Sequence, residues 1–311
     1  MKAIAEPERA TPTLDQGELA DNRMRHIKRS AIVTRAAKRG RRVLAYLLLI
    51  FVVLSMAFPL IWMIFCSLKP DIENYSYPPT LLPKTFTIQN YVALLKRTQF
   101  AVWFRNSLVV STLTTVLAIT VSCLAAYSLS RFRYRAFEIF SQVILWAYMV
   151  PNILLVIPMF KLVWSLGLGN SLTALLLVYN AFLVPYGLWT MRSYFAGIPH
   201  EIEEAALIDG ANRWQALFRV VLPQALPGII STALFAFHVA WNEYLYASII
   251  LSSSRQMTLS AGVATLISDT AIWSWGVLMA AGVLVTVPVI LLFALLQRHL
   301  VAGWGGGAVK A

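Results

Sequence analysis

The chain has 311 residues, 59% of them hydrophobic and only 13% charged, with a formal charge of +12 and a mean hydropathy of +0.67. That balance excludes an ordinary soluble domain, and 10 Trp with 12 Tyr suit the interfacial belts of a membrane protein. The charge does not point to nucleic acid: eleven of the 26 Lys and Arg precede residue 43, no acid follows Asp21 in that stretch, and no aromatic ring interleaves with the basic residues.

Residues 1–42 form a basic tail. It reads as disordered to about residue 22, and residues 24–42 read as a solvated stretch or as an amphipathic helix on anionic lipid. Beyond it, apolar runs at about 43–65, 106–130, 138–163, 172–192, 228–250 and 277–297 each approach the ~20 residues that cross ~30 Å of hydrocarbon. The sequence thus predicts an all-α integral membrane protein with six transmembrane helices over residues 43–300. The first run lies deep in the chain, and Ala57-Phe58-Pro59 makes a poor cleavage site, so it reads as a retained anchor. Pro59, Pro151, Pro158, Pro185 and Pro288 fall inside these runs and invite bends, because each removes a backbone hydrogen bond.

Between the runs, residues 67–105 hold Pro70, Pro78, Pro79 and Pro83 and read as an irregular loop. Residues 251–276 are apolar enough to fold back on the membrane surface, with Trp273 and Trp275 as anchors. Cys66 and Cys123 fall at different depths, which argues against a disulfide, and two isolated cysteines make no zinc site. Loop charge sets the orientation. With the N-terminus inside, the cytoplasmic side holds 19 of the 26 basic residues, including Arg131, Arg133, Arg135, Arg192, Arg213 and Arg219. Both termini are then cytoplasmic, with 301–311 a short tail.

The loop at about 193–227 carries the most specific pattern. Pro199 fits the first position of a helix, and Glu201, Glu203 and Glu204 crowd its positive end. Ile202, Ala205 and Ala206 supply a small apolar face, and Gly210 stops the helix. A second helix is expected over residues 212–221, with Trp214, Leu217, Phe218 and Val221 on one face and Pro223 ending it. An ordered acidic helix between two spans suits a soluble partner.

Here the chain resembles the permease subunits of binding-protein-dependent ABC importers, whose shared loop reads Glu-Ala-Ala, three residues, Gly, nine residues, Ile, one residue, Leu-Pro. Glu204, Ala205, Ala206, Gly210, Leu222 and Pro223 match at that spacing, with Val220 in place of the Ile. Ser67-Leu68-Lys69, Asn106-Ser107, Ile198-Pro199, Ile208-Asp209-Gly210-Ala211 and Trp241-Asn242-Glu243 are similar to the sugar-importer branch, in particular to chains like the second permease of the maltose transporter. The resemblance implies a type I importer permease fold in the bacterial cytoplasmic (inner) membrane. It implies that Glu204, Ala205, Ala206, Asp209 and Gly210 couple to a cytoplasmic ATPase. The implied partners are a second permease, two ATPase subunits that bind ATP and Mg, and an extracytoplasmic solute-binding protein. The cargo would be a sugar or sugar derivative; a polyol, glycerol phosphate or another polar solute is the alternative within the class.

The fifth run holds two ionisable residues, His238 and Glu243, among Trp241, Asn242, Tyr244 and Tyr246. Such groups in a span are costly and usually face protein or water. His238, Asn242 and Tyr246 follow i, i+4, i+8 spacing and would share one helix face. Aromatic rings beside amides and a carboxylate suit a sugar pathway, to which Tyr148, Asn152 and Asn180 could add from facing helices; interhelical hydrogen bonding is the competing reading. No phosphate loop, nucleophile elbow or His-Glu-x-x-His pair occurs, so no cofactor or catalytic role is expected of this chain. An ion-coupled secondary transporter and a pathway-free scaffold are the alternatives outside the class, although no inverted repeat supports the former.

Overall fold

The computed structural model describes residues 16–132, 134–268 and 274–305, which are helices and turns with no strand among them. It divides into two units, residues 1–61 and 62–311. The first is most of one helix, α1 (Gln16–Ser67). No proline interrupts it before Pro59, so the helix runs unbroken through the basic stretch where disorder to residue 22 was expected. Its large apolar side chains from Val43 to Phe58 are exposed, as suits a face turned to lipid. Residues 1–15 of the tail lie outside the described residues.

The second unit follows in chain order as α2 (Asp71–Asn74), α3 (Gln89–Arg97), α4 (Phe100–Arg131), α5 (Arg135–Tyr148), a 3₁₀ turn (Asn152–Leu155), α6 (Val156–Ser165) and α7 (Leu172–Ala196). Then come α8 (His200–Ile208), α9 (Arg213–Ala216), a π turn (Leu217–Val221), α10 (Leu222–Gln224), α11 (Leu226–Asn242), α12 (Leu245–Ile250), α13 (Leu259–Ser268) and α14 (Trp275–Gly305). The bundle centres on α4, α7 and α11. Small residues let them approach, as helices without a hydrophobic drive between them require. A Cβ on Gly187 of α7 would stand 2.4 Å from Ser122 Oγ of α4 and 3.4 Å from Thr232 Cγ2 of α11. Val110, Ala118, Leu175, Val178, Leu183, Ala236 and Ala240 fill the adjoining core. The helix α14 closes the bundle against α11 and α3.

The two ends of the bundle sort the loops. At one, Asn106 Nδ2 donates to the Arg255 and Met257 carbonyls at 2.9 Å, Trp103 Nε1 to Ser254 O at 2.8 Å, and Ser274 Oγ reaches Asp71 Oδ1. Asn170, at φ 52°, accepts the Ser252 and Ser253 amides there. At the opposite end lie the α4–α5 corner, the end of α7 and α8.

Several expectations are corrected. Four helical stretches are long and apolar enough to span alone, Gly40–Ser67, Phe100–Arg131, Leu172–Ala196 and Trp275–Gln297. Six spans result only if two bent pairs each count as one. The third run, 138–163, is one such pair, bent by 92° between α5 and the 3₁₀ turn. Pro151 donates no N–H and leaves the helical region at ψ 127°, so the break falls there. The helix predicted for 228–250 stops at Asn242, and Glu243 is extended before α12 resumes. Residues 67–105 are not wholly irregular: they hold α2 and α3, and the Glu73 carboxylate of α2 pins the loop between them, accepting from Thr80 Oγ1 at 2.9 Å and Lys84 N at 2.8 Å. Finally, the described part of residues 251–276, expected as a loop folded back on the membrane surface, holds the helix α13. There α13 packs on α4 and α14, burying Leu259, Ala261 and Leu266, while Trp275 stays half-exposed. Trp273, Arg133 and residues 306–311 lie outside the described residues.

Candidate functional site

The helix α8 forms where the sequence places it. Glu201 and Glu203 occupy its first turn, where the helix dipole favours acids, and Ala205 and Ala206 have the best helical propensity. Pro199 sits one position earlier than expected, as the capping residue with ψ 137°, and His200 is the first helical residue. The C-terminus closes as anticipated by Gly210, at φ 89°. Gly210 N–H donates to Leu207 O at 3.1 Å and Ala211 N–H to Ala206 O at 3.0 Å, the pair of bonds that satisfies the last carbonyls of a Schellman stop.

One side chain of α8 is buried, and it is charged. Glu203 is 3% exposed. Its Oε2 lies 2.7 Å from Arg131 Nε at the end of α4, and its Oε1 accepts the Tyr127 hydroxyl one turn earlier. Arg131 also reaches Ile198 O at 3.4 Å from both terminal nitrogens, bridging to the α7–α8 corner. Sequence reasoning grouped Glu203 with Glu201 and Glu204 as acids at the positive end of the helix, and did not single it out. The signal available was on the other partner: Tyr127 and Arg131 stand four apart at the end of an apolar run and so face one neighbour.

The remaining face of α8 is open. Glu201, Glu204, Ala205, Asp209 and Gly210 are exposed, and Ile208 is 86% exposed. The second helix of the loop departs from expectation. Asn212 and Gln215 cap α9 reciprocally at 2.9 Å, but the helix then widens into the π turn below Pro223, which cannot donate to the ladder. The extra residue per turn splits the predicted face. Leu217 and Val221 are buried, whereas Trp214 and Phe218 turn outward and stack on each other at 6.2 Å. Pro223 does not end the segment, which runs to Gln224.

The expected pathway residues are divided by the break after Asn242. His238 and Asn242 remain together on an exposed face, with Asn242 Nδ2 on His238 O at 2.9 Å. Tyr246 does not join them: once the helix is interrupted it turns inward, is buried, and donates to Asn152 O at 2.8 Å. Glu243 spans the break, accepting Tyr246 N–H at 2.8 Å, Ala247 N–H at 3.1 Å and the Tyr179 hydroxyl at 2.7 Å. The carboxylate therefore caps α12 and ties it to α7. Asn152, Tyr179, Glu243 and Tyr246 line a cavity of about 210 Å³ with Phe182, Leu183, Val239 and Leu245. Tyr179 was missed because nothing in an apolar run singles out one tyrosine. Trp241 is 1% exposed and its Nε1 reaches Val285 O on α14 at 3.2 Å, so it bolts two helices together. Asn180 stands apart, donating to its own helix at Leu176 O, with a buried Oδ1 that has no hydrogen bond among the described residues. Tyr148 and Tyr244 are exposed. No group of three or more His, Cys, Asp or Glu that could hold a metal ion gathers among the described residues.

A helical membrane bundle that holds out a short, acidic, glycine-stopped helix between two of its spans is the fold of an ABC importer permease subunit of type I. The chain belongs to the family of binding-protein-dependent transport system inner membrane components, whose model matches residues 118–305, and it is a multi-pass protein of the bacterial inner membrane. It is 40% identical to the inner membrane ABC transporter permease protein YcjP of Escherichia coli K12, over 85% of this chain and 94% of that one. It is 34% identical to the trehalose/maltose transport system permease protein MalG of Thermococcus litoralis, over 87% and 97%. A third relative, 35% identical over 81% and 88%, is the sulfoquinovosyl glycerol transport system permease protein SmoH of Agrobacterium fabrum. Among solved structures, a chain of a bacterial ABC transporter involved in the import of the acidic polysaccharide alginate superposes with a TM-score of 0.73 and 25% identity, over 84% of this chain and 97% of that one.

Proposed function

We propose that this chain forms half of the translocation pathway of an ATP-driven importer for a sugar or sugar derivative, and that α8 is where a cytoplasmic ATPase engages it. The observation that carries the reading is the geometry of α8: one charged side chain anchors it, and its Glu204, Ala205, Ile208 and Asp209 face is open to a partner. Ala205 permits close approach, and Glu204 offers a charge to a basic groove. The sugar assignment draws on relatives named for trehalose, maltose and sulfoquinovosyl glycerol transport, and on the aromatic, amide and carboxylate groups near the α11–α12 break.

In this reading both termini are cytoplasmic, consistent with 19 of 26 basic residues on the α8 side. The chain works with a second permease, two ATPase subunits that bind ATP and Mg and carry the hydrolysis, and an external solute-binding protein. Residues 1–42 and 301–311 are cytoplasmic tails flanking the permease domain at 43–300. Glu243, Asn152 and Tyr246 belong to the pathway wall, with His238 and Asn242 on the face towards the partner permease; Trp241 and Asn180 act in support. A mild-detergent pull-down of the tagged chain tests the reading. Recovery of an ATPase carrying a phosphate loop, together with a second multi-span permease, is expected; a chain that purifies alone under conditions that preserve such complexes would overturn it.

A further inference from the structure

We infer that Arg131 and Glu203 are positioning residues for energy coupling, their buried ion pair carrying the displacement of α8 into α4 and so into the centre of the bundle. This rests on the assignment of α8 to an ATPase made above. A short helix docked on a bundle is ordinarily held by apolar side chains, yet the one buried side chain of α8 is Glu203. Both of its oxygens are taken by α4, one by Arg131 at 2.7 Å and one by Tyr127. The same guanidinium reaches Ile198 O at 3.4 Å, in the three-residue corner that joins α7 to α8. A force on α8 thus has two routes inward: along the chain through the corner at residues 197–199, and across this pair into the last residue of α4. The second route leads to the helix that packs on both α7 and α11.

The chemistry fits a joint better than a fastener. Apolar contacts have no preferred direction and let a helix slide, whereas charge-assisted bonds to a guanidinium hold both distance and orientation. Burying such a pair is also a poor route to stability, since apolar replacements of similar volume are often neutral or stabilising. Breaking one partner alone leaves an uncompensated buried charge, so single substitutions would confuse misfolding with lost coupling.

The test therefore uses Arg131→Cys/Glu203→Cys. The two thiols are bridged by a short bis-methanethiosulfonate linker, and the chain is assembled with its partner permease and ATPase in proteoliposomes. Mg·ATP hydrolysis is read with and without the solute-binding protein, purified with its native cargo, before and after the linker is reduced in place. Cys66 and Cys123 are both buried and stay as they are. The bridged complex is expected to respond to the binding protein, and reduction is expected to abolish at least tenfold of that stimulation while basal hydrolysis and complex recovery stay unchanged. Stimulation that is indifferent to reduction would overturn the inference, as would a complex that dissociates on reduction, because the pair is then only a fastening. Arg131→Met/Glu203→Leu adds a second reading: a folded complex with unimpaired stimulation would also overturn it. If the unmodified chain recovers no ATPase, the functional assignment falls instead.

Discussion

The close approach of α7 to α4 at Gly187 makes a sharp prediction. In Gly187→Ala the new methyl would stand 2.4 Å from Ser122 Oγ and 2.9 Å from Ser122 Cβ, whereas carbon atoms prefer about 3.5–4.0 Å. Turning the hydroxyl away relieves the first contact but breaks its 3.1 Å bond to Val184 O, and no rotamer relieves the second. The helices α4 and α7 must therefore separate by roughly 0.5–1 Å, given the spacing carbon contacts need. Overpacking of this kind costs about 1–3 kcal/mol, and the lost hydrogen bond adds about 0.6 kcal/mol. The higher helical propensity of Ala returns about 1 kcal/mol, leaving a net loss of about 0.5–2.5 kcal/mol. The assay is reversible unfolding in mixed micelles, with Gly187→Ala/Ser122→Gly as the control. That pair moves the side-chain volume across the interface and should recover most of the loss. A Gly187→Ala chain as stable as the parent, or a double variant no better than the single one, would refute the packing argument.

On α8, Glu204 is exposed, so Glu204→Lys should shift unfolding by no more than about 0.5 kcal/mol, yet under the proposed function it should weaken ATPase recovery in a pull-down. Gly210→Pro loses the amide that donates to Leu207 O and cannot adopt φ 89°; uptake should fail while the spans remain inserted, as protease protection would show. Trp241→Ala should cost about 3–5 kcal/mol in the same micelle assay, whereas Asn242→Ala, on an exposed face, should alter transport and leave the midpoint almost unchanged. Near-native stability for Trp241→Ala would remove its assignment to the core. In the α2–α3 segment, the Lys84 amide and the Thr80 hydroxyl hold the Glu73 carboxyl below its ordinary value of 4.5. A lowered value contributes stability above 4.5 and loses it as pH falls through the folded value. Hydrogen-exchange protection at residues 71–88, taken relative to the intrinsic rate at each pH, should therefore be flat from pH 7 to 5 and fall progressively below 4.5, a response that Glu73→Ala abolishes.

Much of the architecture was legible in the chain because it depends on local quantities. Hydropathy over about 20 residues marks a span whatever surrounds it, so the first, second, fourth and sixth runs match observed helices. The stop at Gly210 was equally readable, since a positive φ is a property of one residue. What the tertiary structure decided are the places where a neighbour competes with the helix. The fifth run breaks after Asn242 because the Glu243 carboxylate satisfies the amides of Tyr246 and Ala247 and takes the Tyr179 hydroxyl from another helix; hydropathy reads the same run as continuous. The π turn before Pro223 sends Trp214 and Phe218 outward although their spacing matches Leu217 and Val221. Most of all, three glutamates in a row of four look alike in sequence. Only the approach of Arg131 and Tyr127, more than seventy residues earlier in the chain, makes Glu203 a buried anchor and leaves Glu204 free for a partner.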